Sequence, residues 1–213
     1  MSKEVKRIIL LGSGGHACSV VDSIEDKAEY SIVGFSDLKP SSYRGYEVVC
    51  CDDELERLFS DGVRFAFITI GFMGNSQQRE RLYKKLKEIG YSIPTIIDRT
   101  AAIAKDAVVG EGTFIGKNSV VNSGAQIGIN TIINSGAIVE HECVVGDFSH
   151  VSVGACICGQ CKIGNSCLIG ANSTVIQNLS IGDNCIIGAG STVLSDVPKD
   201  STVYGIVHRR EFR

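Results

Sequence analysis

From residue 103 to residue 198 the chain repeats itself every six residues, and this repeat constrains its fold more than any other feature. The first position of each hexad is a β-branched aliphatic sixteen times in succession, from Ile103, Val109 and Ile115 through Ile181, Ile187 and Val193. The fifth position is small in most hexads, as at Ala107, Thr113, Ser119, Cys143, Ser149, Cys161 and Ser191. A unit of six residues buries too little to fold alone, so the copies must stack into a solenoid. If each hexad forms one face of a triangular coil, three hexads make a coil of eighteen residues. So strict a hexapeptide pattern predicts a left-handed parallel β-helix, the exception to the right-handed rule for parallel crossovers.

The fourth hexad position reads as the corner. It is Gly, Asn or Asp in twelve of the sixteen hexads, the residues that tolerate positive φ. The four exceptions, Glu142, Phe148, Gln160 and Ser166, fall within five consecutive hexads. Local rules are expected to fail where function depends on the failure. The same stretch holds both histidines of the repeat, His141 and His150, and the triplet Glu140-His141-Glu142. An adjacent carboxylate can keep one imidazole nitrogen protonated and leave the other as a base. One coil beyond His141 stands Gly159, whose missing side chain leaves room and an accessible N–H beside the ring, a donor suited to an oxyanion. His150 is too far along the coil to meet His141 within one chain, so a threefold oligomer with sites at its interfaces is expected.

Residues 1–98 read differently. Strands at Arg7–Leu11, Ser31–Phe35 and Phe65–Ile70 alternate with helical stretches ending near Asp26, at Asp52–Phe59 and at Ser76–Ile89. That alternation argues for a parallel sheet, and three such units make about half of a dinucleotide fold. The expected domains are therefore 1–98, an α/β half-Rossmann unit, and 99–213, the β-helix. Between the first strand and first helix lies Gly12-Ser13-Gly14-Gly15-His16-Ala17, which matches the glycine fingerprint whose amides favour phosphate. Asp37 ends the second strand, where an acid can accept hydrogen bonds from a ribose or base. Half a dinucleotide fold suits a nucleoside diphosphate ligand better than a nicotinamide cofactor, and His16 is placed to touch a phosphate or sugar.

A net charge of −3 gives no general attraction to nucleic acid or to a membrane surface. The first apolar run, Ile8–Gly12, is too short for a signal peptide or a membrane span, so a cytoplasmic protein is expected. Nine cysteines, with Cys156-Ile157-Cys158-Gly159-Gln160-Cys161 among them, first suggest a metal site. However, Cys143, Cys161, Cys167 and Cys185 all occupy the small fifth position, where a thiol is a compact apolar side chain. Free thiols and no metal are expected.

The glycine-rich half-fold, the β-helix and the segment Glu140-His141-Glu142-Cys143-Val144-Val145-Gly146-Asp147-Phe148-Ser149-His150-Val151-Ser152 together resemble a known bacterial family. It comprises the acetyl-CoA-dependent nucleotide-amino-sugar N-acetyltransferases of the bacillosamine pathway, with perosamine N-acetyltransferases and sialic-acid O-acetyltransferases among the wider relatives. The resemblance implies that His141 is the general base and that Glu142 raises its basicity. It implies an acetyl-CoA groove along His150, Gly159, Ala171 and Ala189, with Asn134 at the reacting centre. It places the nucleotide sugar against Gly14, Gly15, His16, Ser36, Asp37 and Gly71, next to Gly12 and Ser13 of the same loop, and implies a homotrimer. One departure stands at the tail, which reads Tyr204-Gly205-Ile206-Val207-His208 where relatives commonly read Tyr-Gly-x-Pro-Ala. The expected reaction is acetyl transfer to the amino group of a UDP-linked 4-amino sugar without a covalent enzyme intermediate. The rival readings are sugar O-acetylation and a non-catalytic nucleotide-sugar-binding scaffold.

Overall fold

The computed structural model describes residues 6–72 and 74–208. The outer limits of the two expected domains, at 1 and 213, lie outside the described residues. The chain forms two compact units, one of Met1–Gly71 with Gln77–Arg99 and one of Phe72–Ser76 with Thr100–Arg213. The short segment Phe72–Ser76 thus packs with the β-helix although it lies within the sequence of the first unit.

In the first unit β1 (Lys6–Leu11) leads through the glycine loop into α1 (Gly15–Lys27) and β2 (Tyr30–Ser36). A hairpin of β3 (Ser42–Tyr43) and β4 (Tyr46–Cys50) follows, then a 3₁₀ turn at Asp52–Glu54, α2 (Leu55–Ser60), β5 (Phe65–Ile68) and α3 (Gln77–Ile89). The sheet order is β3-β4-β2-β1-β5. β1, β2, β4 and β5 run parallel, and β3 is antiparallel to β4. β1 lies between β2 and β5 and is a continuous apolar run: Ile8, Ile9, Leu10 and Leu11 are all fully buried. The hairpin goes beyond the three strands read from sequence. Its turn, Arg44-Gly45, has φ of 50° and 84°, and two positive values in succession are what a tight hairpin turn needs. Arginine there is an atypical turn residue, which hides the signal.

The second unit is the left-handed parallel β-helix that the hexads predict. Its first face stacks strands from Ala102–Ile103 and Val120–Val121 to Thr192–Val193 and Ile206–Val207. The second runs from Val108–Val109 to Ser180–Ile181, and the third from Phe114–Ile115 to Thr202–Val203. Register advances by eighteen residues per coil, as in Ile138↔Cys156 and Cys156↔Thr174. The first-position aliphatics point inward and are buried from Ile115 to Val193, whereas Ile103 and Val109 at the open end are only half-buried.

Fifth-position side chains form a second inward row with a polar task. Thr113 donates to the carbonyl of Gly128 at 2.7 Å, and Ser149 to that of Gly164 at 2.9 Å. Cys143, Cys167 and Cys185 donate in the same way to Cys158, Gly182 and Pro198 at 3.0–3.1 Å. The cysteines are therefore packing residues that also satisfy corner carbonyls of the next coil. Burial pushes the Cys167 thiol up to about 12 and raises that of Cys185, so both remain protonated donors. All nine cysteines are free.

The corners adopt left-handed conformation from Gly112 to Gly190. Asp106 and Asp196 do not, although the pattern predicts it. Asp106 belongs to the open end, and at Asp196 the period shortens, because Val197 rather than residue 199 pairs with Ile181. The tail still continues the coil, with Thr202–Val203 on Ile186–Ile187 and Ile206–Val207 on Thr192–Val193. Glu142, Phe148, Gln160 and Ser166 hold φ of 56°, 55°, 63° and 54°, values that glycine or asparagine adopts at less cost. They stack in pairs, Glu142 below Gln160 and Phe148 below Ser166.

Candidate functional site

His141 follows the strand Ile138–Val139, at the corner between the first and second faces. Its ring lies over Gly159 of the next coil: a Cβ at residue 159 would stand 2.5 Å from Nε2 and 2.6 Å from Cε1. Only glycine leaves the imidazole where it is. Nδ1 faces Glu142 Oε2 at 3.4 Å, and among the described residues Nε2 has no hydrogen-bond partner. A neutral ring with its proton on Nδ1 therefore presents the Nε2 lone pair outward. The two flanking acids divide the work. Glu140 turns away from the ring and accepts from Asn122 Nδ2 at 2.9 Å and from the His141 amide at 3.2 Å.

The amide of Gly159 is the complementary feature. In the coils below, the equivalent N–H groups of Ser123 and His141 donate to the side chains of Asn122 and Glu140. At Gly159 the preceding residue is Cys158, which offers no carboxylate or amide oxygen. Among the described residues the Gly159 N–H makes no hydrogen bond, so an open donor stands beside the Nε2 lone pair.

His150 begins a strand of the third face and is buried. Its Nδ1 lies 2.9 Å from the Phe72 carbonyl, which can only accept, so the proton is on Nδ1. Nε2 then accepts from Asn134 Nδ2 at 3.1 Å, and the Ser135 amide fixes that side chain by donating to Asn134 Oδ1 at 2.8 Å. His150 is thus a neutral ring used at both nitrogens. Ala171 and Ala189 follow the third-face strands Leu168–Ile169 and Ile186–Ile187, at the corner between the third and first faces. Asn134, Ala171 and Ala189 therefore mark one edge of the prism, with His150 on the face leading to it. His141, Glu142 and Gly159 mark the next edge, with the first face between. A single chain does not bring the two sets together.

In the first unit a cavity of about 640 Å³ opens at the carboxyl ends of β1, β2 and β5. Gly12 has φ of 102° and lies so close to Ile70 that a Cβ would meet its Cγ1 at 2.6 Å, so the loop requires glycine there. Gly14 and Gly15 face open space. Among the described residues no side chain caps α1 and no acid lies in its first turn, so the helix dipole at this end favours an anion. His16 and Gly71 meet across the cavity, the place for a Gly71 Cβ being 3.9 Å from that of His16. Asp37 ties the loop together, with Oδ2 accepting from the Ser13 amide at 2.9 Å and the Ser13 hydroxyl at 2.7 Å. Partial burial alone would raise its pKa, but these bonds and the amides of Lys39 and Leu38 hold the carboxyl below its ordinary value. The Ser36 hydroxyl is likewise engaged, donating to Asp52 at 2.6 Å.

Gln78, Arg81 and Lys85 of α3 also line this cavity. Lys85 pairs with Asp53 at 3.2 Å, whereas Arg81 makes no ion pair or hydrogen bond with any described residue. Their spacing of three and four residues is the one sequence signal that could have revealed them, since it puts all three on one helical stripe.

The PglD N-terminal domain family matches residues 7–86. The hexapeptide repeat of succinyl-transferase matches residues 107–147, and the bacterial transferase hexapeptide, as six repeats, matches residues 160–195. Among solved structures, the chain is similar to a histidine-to-alanine variant of GDP-perosamine N-acetyltransferase from Caulobacter crescentus in complex with CoA and GDP-perosamine. Identity is 28%, 95% of each chain is covered, and the TM-score is 0.90. It is also similar to the acetyltransferase domain of PglB from Neisseria gonorrhoeae in complex with acetyl coenzyme A, at 26% identity and a TM-score of 0.88. There the match covers 95% of this chain and 97% of that one.

Proposed function

We propose that this chain, an acetyltransferase whose first unit matches the PglD N-terminal domain and whose second matches hexapeptide repeats, moves the acetyl group of acetyl-CoA to the amino group of a nucleotide-linked amino sugar. The observation that carries this reading is the open Nε2 of His141 beside the open amide of Gly159, with Glu142 behind Nδ1. The amine nitrogen attacks the thioester carbonyl while His141 Nε2 takes its proton. The Gly159 N–H meets the charge developing on the carbonyl oxygen. The carbon–sulfur bond then breaks, and the imidazolium, steadied by Glu142, returns the proton to the departing thiolate. No side chain is acylated.

In this reading the sugar is UDP-linked and carries a 4-amino group. Its nucleoside diphosphate sits on the glycine loop, with Gly12, Ser13, Gly14, Gly15, His16, Ser36, Asp37 and Gly71 around it. The coenzyme runs past Gly159 and along Asn134, His150, Ala171 and Ala189. Since those residues fall on two edges of one prism, the reading requires a second copy beside the first, and a homotrimer with three such interfaces supplies it. In this reading the enzyme acts in the cytoplasm.

The deciding experiment offers acetyl-CoA with UDP-, GDP- and dTDP-linked 4-amino sugars and follows thiol release, with His141→Ala alongside. A general base is worth roughly 10²–10⁴-fold, so the variant should lose that much kcat/KM. Retention within a few-fold overturns the base assignment. Turnover of a hydroxyl in place of the amine would point to O-acetylation. A melting temperature unmoved by millimolar acetyl-CoA would point to a scaffold.

A further inference from the structure

Gln160 stands one coil above Glu142 at the same corner. The corner below Glu142 is Gly124 and the one above Gln160 is Asn178, both suited to positive φ, whereas glutamine at φ 63° is strained. Its side chain donates from Nε2 to Glu142 Oε2 at 2.9 Å, the same oxygen that faces His141 Nδ1. Its backbone N–H donates to the His141 carbonyl at 2.9 Å. Asparagine would fit the corner better, but it is one methylene too short to keep that reach. We propose that Gln160 is a positioning residue: it holds the Glu142 carboxylate against His141 and shares the charge of Oε2, thereby setting both the orientation and the basicity of the imidazole. The inference rests on His141 acting as the base.

The surroundings leave few other groups that could do this. On its own coil the ring has Glu142 and Glu140, the latter held by Asn122 and the His141 amide. From the coil below comes Ser123, whose hydroxyl donates at 2.8 Å to Asp106 of the coil beneath that. From the coil above come Gly159 and Gln160, both uncharged, with the Cys158 thiol preceding them. Among the described residues, Glu142 is therefore the one carboxylate on the ring, and Gln160 is the one side chain donating to it.

Two substitutions test this. Gln160→Asn relieves the corner strain and should leave the melting temperature at or above that of the native protein. It should nevertheless lower kcat/KM about 10-fold, within the ~10²-fold that misplacement of a catalytic group by ~1 Å costs. The fall should lie in kcat, with both KM values unchanged. Gln160→Glu keeps the length and adds charge beside Glu142. It should move the acid limb of the kcat/KM profile, and the His141 titration followed by NMR, to higher pH. A Gln160→Asn variant with native kcat/KM, or a His141 titration unchanged in Gln160→Glu, overturns the proposal. If His141→Ala itself stays active the base reading fails, and the NMR titration still decides whether Gln160 acts on the pair.

Discussion

The ring of His141 lies against Gly159 so closely that a single methyl group at residue 159 would come within 2.5 Å of Nε2. Residue 159 is not in the left-handed region, so alanine is compatible with its backbone. Gly159→Ala should therefore fold and melt like the native protein or slightly above it, as Gly→Ala changes do where the backbone allows them. The imidazole, in contrast, must move. We expect kcat/KM to fall by about 10²-fold, and a steady-state assay beside a thermal melt separates the two effects.

Asp37 gives stability a defined dependence on pH. Its carboxyl is held below the ordinary value, so its contribution is fully present above the unfolded value of ~3.9 and is lost as pH falls through the folded one. Asp37→Asn lacks that contribution at every pH. The gap in melting temperature between the two proteins should be steady from about pH 8 to about pH 5 and should close below about pH 4.

Arg81 lines the cavity of the first unit and has no carboxylate partner among the described residues. If that cavity takes the nucleoside diphosphate, Arg81→Ala should weaken UDP binding about 10–100-fold, matching the ~1.5–3 kcal/mol of a hydrogen bond to a charged group. Calorimetric titration with UDP measures this. The side chain is exposed on α3, so the melting temperature should hardly change. The KM for acetyl-CoA should stay as it is.

Cys167 donates to the Gly182 carbonyl from a position that serine or threonine fills elsewhere in the repeat. Cys167→Ser should keep the fold with a melting temperature within a few degrees of native, whereas Cys167→Leu overpacks a buried site and should cost about 1–3 kcal/mol. With its thiol pushed up to about 12, Cys167 should resist alkylation at neutral pH until the protein unfolds.

Much of the second unit could be read directly, because a period of six leaves one way for Ile115, Val121 and Ile127 to face a common interior. The eighteen-residue coil that follows puts Gly159 over His141 and Gln160 over Glu142. The first unit was legible in outline. Its hairpin was not, since Arg44 carries the positive φ that asparagine or glycine usually announces. Arg81 and Lys85 were also missed: a charged stripe on an amphipathic helix looks like solvated surface until the sheet is folded beside it.

By itself, then, the sequence determined the coil, its register and the residues that share a corner, because these follow from spacing along one chain. Only the tertiary structure decided how the polar groups are spent. Glu142 rather than Glu140 faces the imidazole, because Asn122 and the His141 amide take Glu140. His150 is committed at both nitrogens, because the segment Phe72–Ser76 packs with the β-helix and brings the Phe72 carbonyl to it. Hydrogen bonds have direction and short range, and a six-residue period carries no record of which of two neighbouring acceptors a donor will choose. The repeat that shaped the scaffold therefore located the His141 corner, and the folding of side chains around it determined which nitrogen and which amide stayed open.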